Sequence, residues 1–277
     1  MARALFLALV TLTVLLPAVG TGGWLWLGDE RGEPSGDAAS TEDAVTVQAY
    51  LPPDNSVCQA AGRRPEAGSA RHLPEVYTQR VEVDGIAIVA PQSVSADALE
   101  AARETVAVVF AENDLEETLA AVGAYVVVSA EGQQVLELPE FECLAGRPES
   151  RAFDHVCGLA DQAAYPVAVV NELDLLGDPS GPCAGLNVLY HELGHLVQNF
   201  ALGPADYYDL RLLYQDALNA GRYRRQYAGT NFHEYFAEGT QNYFHHGEPG
   251  GLRDRAWLAE YDPALFAVLE LIYGGGE

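Results

Sequence analysis

The sequence predicts an α+β fold, with a small N-terminal sheet followed by a mainly helical C-terminal half. Three observations carry this. Short β-branched and apolar runs bounded by turn residues, such as QRVEVDGIAIVA and YPVAVVNE, fall in the first part of the folded region. Apolar residues then recur at helical spacing through most of the remaining chain. Of 277 residues, 49% are hydrophobic, enough for one large core or two small ones.

The elements follow in order. Residues 79–90 alternate like one half-buried strand. Ser95 is placed to cap a helix running through SADALEAARETVAVVFAEN. The stretch AYVVVSAEGQQVLELPE has the pattern of a hairpin turning at Glu131-Gly132. Residues 164–176 contain a short apolar strand, and helices are predicted over 186–201, 206–220, 230–245 and 262–273.

Upstream of this domain, predicted over 76–277, composition marks two further segments. Residues 29–75 are rich in Gly, Pro, Ala, Ser and charge and read as a disordered linker. Residues 1–28 place Arg3 before an uncharged run from Ala4 to Gly28, with Ala18-Val19-Gly20 as a small-residue cleavage site. That run is also long enough to cross a bilayer core of ~30 Å as a single-pass anchor. Signal peptide and retained anchor remain alternatives, and both put the rest of the chain outside the cytoplasm.

The formal net charge is −25, and all 15 basic residues are Arg. Such an acidic chain is a poor match for nucleic acid or anionic lipid, whose phosphates need clustered Lys and Arg. The four cysteines, Cys58, Cys143, Cys157 and Cys183, show no CxxC spacing and predict two disulfides in an oxidising compartment. The expected pairing is Cys143–Cys157, closing a short loop, with Cys58–Cys183 as the second bridge.

Chemistry concentrates in NVLYHELGHLVQNF (187–200). Residues four apart share a helix face, so His191 and His195 can offer two imidazole nitrogens to one ion. Glu192, one position round, is placed to reach a water on that ion; this is the HExxH arrangement. Leu186, Leu189, Leu193, Leu196 and Phe200 form the opposing apolar face. Catalytic zinc takes three protein ligands and keeps a fourth position open. The metzincin solution needs His at 201 and Gly at 198, where this chain has Ala201 and Gln198. A carboxylate from a later helix is the other solution. Glu234 and Glu238 share one face of NFHEYFAEGTQNYF (231–244), which Phe236, Tyr243 and Phe244 can anchor; Asp206, Asp209 and Asp216 are rivals on the intervening helix.

HELGH followed about forty residues later by EYFAEGTQNYF resembles the gluzincin zinc metallopeptidases, in particular the catalytic domain of anthrax lethal factor and its relatives. The resemblance covers about residues 160–245. It implies a zincin-like domain with one Zn2+ held by His191, His195 and Glu234, and Glu192 as general base. It also implies Glu238 behind a ligating histidine and Tyr227, seven residues before the ligand Glu, facing the substrate carbonyl. Tyr223 is the alternative tyrosine. His233 is expected to point away from the ion, with His245 and His246 at the helix end.

The implied activity is hydrolysis of a peptide or protein substrate by metal-activated water. As in the zincins this chain resembles, the strand at Ala168, Val169, Val170 and Asn171 is expected to form a sheet edge that holds the substrate backbone, with an ordinary core strand as the alternative. Two other functions stay open on the sequence: a non-catalytic, zinc-stabilised surface module, and a zinc amidase of other specificity. A structural zinc site is closed by four ligands, usually including Cys, whereas three are found here and no cysteine lies in the helices.

Overall fold

The computed structural model describes residues 73–142, 145, 156–160, 166–244 and 253–274, all within one compact unit, Val47–Glu277. The signal or anchor segment, almost all of the linker, Cys58, Cys143, His245 and His246 lie outside the described residues. Among the described residues no helix is long and apolar enough to cross a membrane.

The architecture is α+β. Five strands, β1 (Gln79–Val83), β2 (Ile86–Ala90), β3 (Tyr125–Ser129), β4 (Gly158–Ala160) and β5 (Val167–Asn171), form a mixed sheet in the order β1-β2-β3-β5-β4. β2, β3 and β5 run parallel, and β1 and β4 close the two edges antiparallel. The parallel strands are buried along their whole length, as strands covered on both faces must be.

Three expectations are corrected here. Residues 79–90 form a hairpin rather than one strand. Asp84 (φ 45°) and Gly85 (φ 85°) take the left-handed conformation of a two-residue turn. The predicted hairpin at Glu131-Gly132 does not form, because both edges of β3 are already taken by β2 and β5. The chain instead turns at Gly132 (φ 73°) into a 3-10 turn, Val135–Glu137. Finally, Ala168–Asn171 is not a sheet edge: β5 pairs with β3 on one side and β4 on the other, so among the described residues the edge belongs to β4.

Eight helices accompany the sheet among the described residues: α1 (Ala96–Phe110), α2 (Leu115–Ala121), α3 (Glu172–Leu175), α4 (Leu189–Leu196), α5 (Pro204–Asn219), α6 (Phe232–Phe244), α7 (Arg255–Tyr261) and α8 (Pro263–Tyr273). Ser95 caps α1 as expected, its Oγ accepting from Ala98 N. One face of the sheet, with Ile88, Val126, Val128, Ala168 and Val170, packs on the helices in a single core. The other face, with Val127, Val167 and Val169, is covered by Val135, Leu138 and Phe141. Glu140 pins that cover, accepting from the hydroxyls of Tyr77 (2.6 Å) and Tyr125 (2.7 Å).

The end of β5 ties the site-bearing segments together. Asn171 Oδ1 caps α3 through Leu173 N, and its Nδ2 donates to Ala130 O. The Glu172 carboxylate accepts from Ser95 N at the start of α1 and from Glu131 N beyond β3. Asp174, fully buried, accepts from Cys183 N and Gly185 N in the loop leading to α4. Burial pushes its carboxyl pKa up, while those two amides work the other way.

The same juxtaposition corrects the disulfide expectation. Cys157, at the start of β4, bonds Cys183, with Cα atoms 5.5 Å apart, inside the usual range. Sheet pairing of β4 with β5 brings these two together across the loop that Asp174 holds. Sequence separation alone favoured the nearer Cys143. Of the three possible connectivities, this pairing leaves Cys58 with Cys143. Non-reducing peptide mapping of the full chain is therefore expected to yield Cys157–Cys183 and Cys58–Cys143 linked peptides; a Cys143–Cys157 peptide would contradict this arrangement.

Candidate metal centre

The α4 helix is set by Asn187, whose Oδ1 accepts from Leu189 N and whose Nδ2 donates to Thr105 of α1. Leu189, Leu193 and Leu196 are buried in the core, so the His191, Glu192 and His195 side chains are confined to one region of the helix. At its C-terminus α4 runs into a π-helical turn, Val197–Ala201. The partner helix α6 starts at Asn231, whose Oδ1 accepts from His233 N (2.8 Å) and Glu234 N (3.0 Å), an N-cap that places Glu234 in the first turn.

Close packing of these two helices depends on Gly194. A Cβ there would lie 3.0 Å from Ala237 Cα and 3.0 Å from Thr240 Cβ. With no side chain in the way, α6 brings Glu234 over the histidines. His191 Nε2 stands 3.1 Å from Glu234 Oε2 and 3.1 Å from His195 Nε2, and His195 Nε2 is 3.4 Å from Glu234 Oε2. The three residues are buried and form a group whose ligand atoms lie within 4.8 Å of one another. A tetrahedron of 2.0–2.1 Å bonds has edges of about 3.3 Å, so this triangle is the size of one face of a zinc coordination sphere. Two imidazoles and a carboxylate are also the donor types zinc takes. The residues present fit the ion.

Charge in the cluster follows from burial and partners. Burial disfavours protonated His191, yet hydrogen bonds with Glu234 and Glu238 outweigh it and hold its pKa well above the ordinary value. Burial alone would raise Glu234, but hydrogen bonds from His191 and His195 keep it well below the usual carboxylate range. Glu192 moves the other way: burial raises its pKa, and the two imidazoles only partly oppose this. Its carboxylate accepts from the Ala160 backbone of β4. Gly158 of β4 is equally close, since a Cβ there would come within 2.6 Å of Glu192 Oε1.

The remaining expected residues sort cleanly. Glu238 Oε1 stands 3.4 Å from His191 Nδ1, behind the ring. Tyr227 opens a 3-10 turn, Tyr227–Gly229, with its ring centroid 5.9 Å from that of His191. Tyr223 lies instead in the core, edge-on to Tyr235 and Tyr261 at 5.2 Å each, which removes it as the alternative. His233 is turned away, with Nδ1 2.9 Å from Gln198 Oε1 and Nε2 3.2 Å from the Tyr207 hydroxyl; burial lowers its pKa to about 4. Asp206 is occupied in capping α5 through Gly203 N, and neither Asp209 nor Asp216 joins the group. Cys157, Asp174 and Cys183 also cluster, but the two sulfurs bond each other and backbone amides take the carboxylate.

Sequence reasoning missed Gly158, Ala160, Gln198 and Asn231. Asn231 was readable as a cap three residues before Glu234. The others act through tertiary approach and carry no local signal.

No family model and no curated protein matches this chain. Among solved structures it is similar to the Pro-Pro endopeptidase PPEP-2 from Paenibacillus alvei, with a TM-score of 0.50 and 17% identity over 67% of this chain and 97% of that one. At that identity the likeness is one of fold.

Filling the contact at Gly194 tests this packing. Gly194→Val is expected to cost about 1–3 kcal/mol by overpacking. A lower urea midpoint together with weaker zinc binding would show it, and an unchanged midpoint would contradict it.

Proposed function

We propose that this chain is a zinc-dependent metallopeptidase of the HExxH gluzincin kind, acting on peptide or protein substrates outside the cytoplasm. The observation that carries this is the convergence of His191, His195 and Glu234 beside a buried Glu192. The motif resemblance to the lethal factor catalytic domain and the fold likeness to an endopeptidase support the same assignment. The N-terminal apolar run, read as signal peptide or anchor, and the Cys157–Cys183 bond support a location in an oxidising compartment.

His191 Nε2, His195 Nε2 and Glu234 Oε2 would hold one Zn2+. When bound, zinc supplies a Lewis acid and a water acidified to a pKa of about 7. Glu192 takes the proton from the attacking water and returns it to the leaving amine. Burial shifts its pKa upward, the direction that favours a carboxylate taking up a proton. The Tyr227 hydroxyl donates to the developing oxyanion from its place beside His191. Glu238 orients the His191 ring through Nδ1. The outer side of β4 offers main-chain groups to an extended peptide, directly above Glu192. The closed, four-ligand site of a structural zinc module is absent among the described residues.

Three variants separate these roles. Glu192→Gln is expected to retain one zinc per chain while kcat falls on the order of 10²–10⁴-fold; undiminished turnover would refute the assignment. His195→Ala is expected to lose the metal, as read by elemental analysis after dialysis. Tyr227→Phe is expected to lower kcat by roughly 10²-fold at unchanged KM, and a purely structural Tyr227 would leave kcat intact.

A further inference from the structure

A cleft of about 410 Å³ opens where β3 and β5 end, and the metal chemistry makes no use of it. Val135, Val156 and Leu173 form its apolar walls, and Glu131, Gln133 and Gln134 its polar rim. The rim is held in place rather than draped. Glu131 N donates to Glu172 Oε1 (2.8 Å), Gln133 N to Ala130 O (3.0 Å), and Ala130 N to Gln133 Oε1 (3.1 Å).

The cleft connects to the proposed catalytic centre through β4. Cys157 lines it, and the next residue, Gly158, backs directly onto Glu192. Side chains of paired strands point to the same face at each register position and alternate with period two. Gly158 and Ala160 pair with Val170 and Ala168 on the helix-covered face, whereas Leu159 pairs with Val169 on the opposite face. A peptide strand added to β4 would thus turn one side chain toward the metal centre at the level of Gly158. Its neighbour along the strand would turn toward the opposite face, which carries Val135 and Val156.

We propose that this cleft is a substrate subsite for a basic side chain, Arg or Lys, lying within about two residues of the scissile bond. This rests on the peptidase assignment above. The apolar walls suit the aliphatic stem of such a side chain, and among the described residues Glu131 is the one charged residue lining the cleft, at the rim where the cationic head would emerge. Glu131 and Gln134 are exposed, so both can be replaced without touching the core.

The test is cleavage of a peptide library randomised on both sides of the scissile bond, by the zinc-loaded full chain and two variants. The wild type is expected to favour Arg or Lys at one position by roughly fivefold in kcat/KM. Glu131→Lys is expected to abolish or invert that preference. Gln134→Trp, which fills the cleft, is expected to reduce cleavage of long basic side chains while sparing Gly or Ala there. Wild-type cleavage with no basic preference, or the same profile in all three proteins, would overturn the subsite and leave the peptidase assignment standing. A zinc-loaded wild type that cuts no peptide would overturn both. Thermal melts matching wild type confirm that a changed profile is not misfolding.

Discussion

Everything in the site depends on how closely α6 can lie on α4. A side chain at 194 would press on Ala237 and Thr240 and hold the two helices apart, and Gly194 has none. The result is four ionisable groups, His191, Glu192, His195 and Glu234, all nearly inaccessible to water. An isolated buried charge costs several kcal/mol, so such a cluster persists only where its members answer one another. They do so in pairs: Glu234 against both imidazoles, Glu238 behind His191, and the Ala160 amide on Glu192. A divalent cation would complete this logic, because it would turn two close imidazole nitrogens from mutual competitors for one proton into co-ligands.

The sheet supplies the second constraint. β4 is only three residues long, yet it delivers both the Ala160 amide and the bare Gly158 Cα to Glu192. Its position is secured at both ends of the argument: antiparallel pairing with β5 along its length, and the Cys157–Cys183 bond at its start. Asn171, Glu172 and Asp174 at the end of β5 in turn gather the α1 cap, the exit from β3 and the loop that enters α4. The start of α1, the exit from β3 and the entry to α4 are thus fixed by one short polar segment.

How much of this was legible in the sequence depends on how local each feature is. His191, Glu192 and His195 were readable because helical spacing alone places them together, and α6 was readable from its aromatic and acidic periodicity. The sheet was harder. Apolar positions continue on both sides of Asp84-Gly85, so the hairpin was read as one strand although the phase shifts from Val81 and Val83 to Ile86 and Ile88 and the dipeptide itself is a turn signal. Apolar content cannot distinguish a central strand from an edge strand, which is why β5 was given the role that β4 holds. Disulfide pairing failed for the same reason: the short loop to Cys143 was visible in sequence, while the approach of Cys183 to Cys157 exists only once β4 and β5 pair. Gly158 offered no cue at all, since its importance lies in what stands opposite it.

Zinc K-edge X-ray absorption on the purified full chain tests the central claim most directly. The account predicts one zinc per chain with two imidazole nitrogens and carboxylate or water oxygen at about 2.0–2.1 Å, and no sulfur. Sulfur at about 2.3 Å, or a first shell unchanged when Glu234 is replaced by Ala, would contradict it.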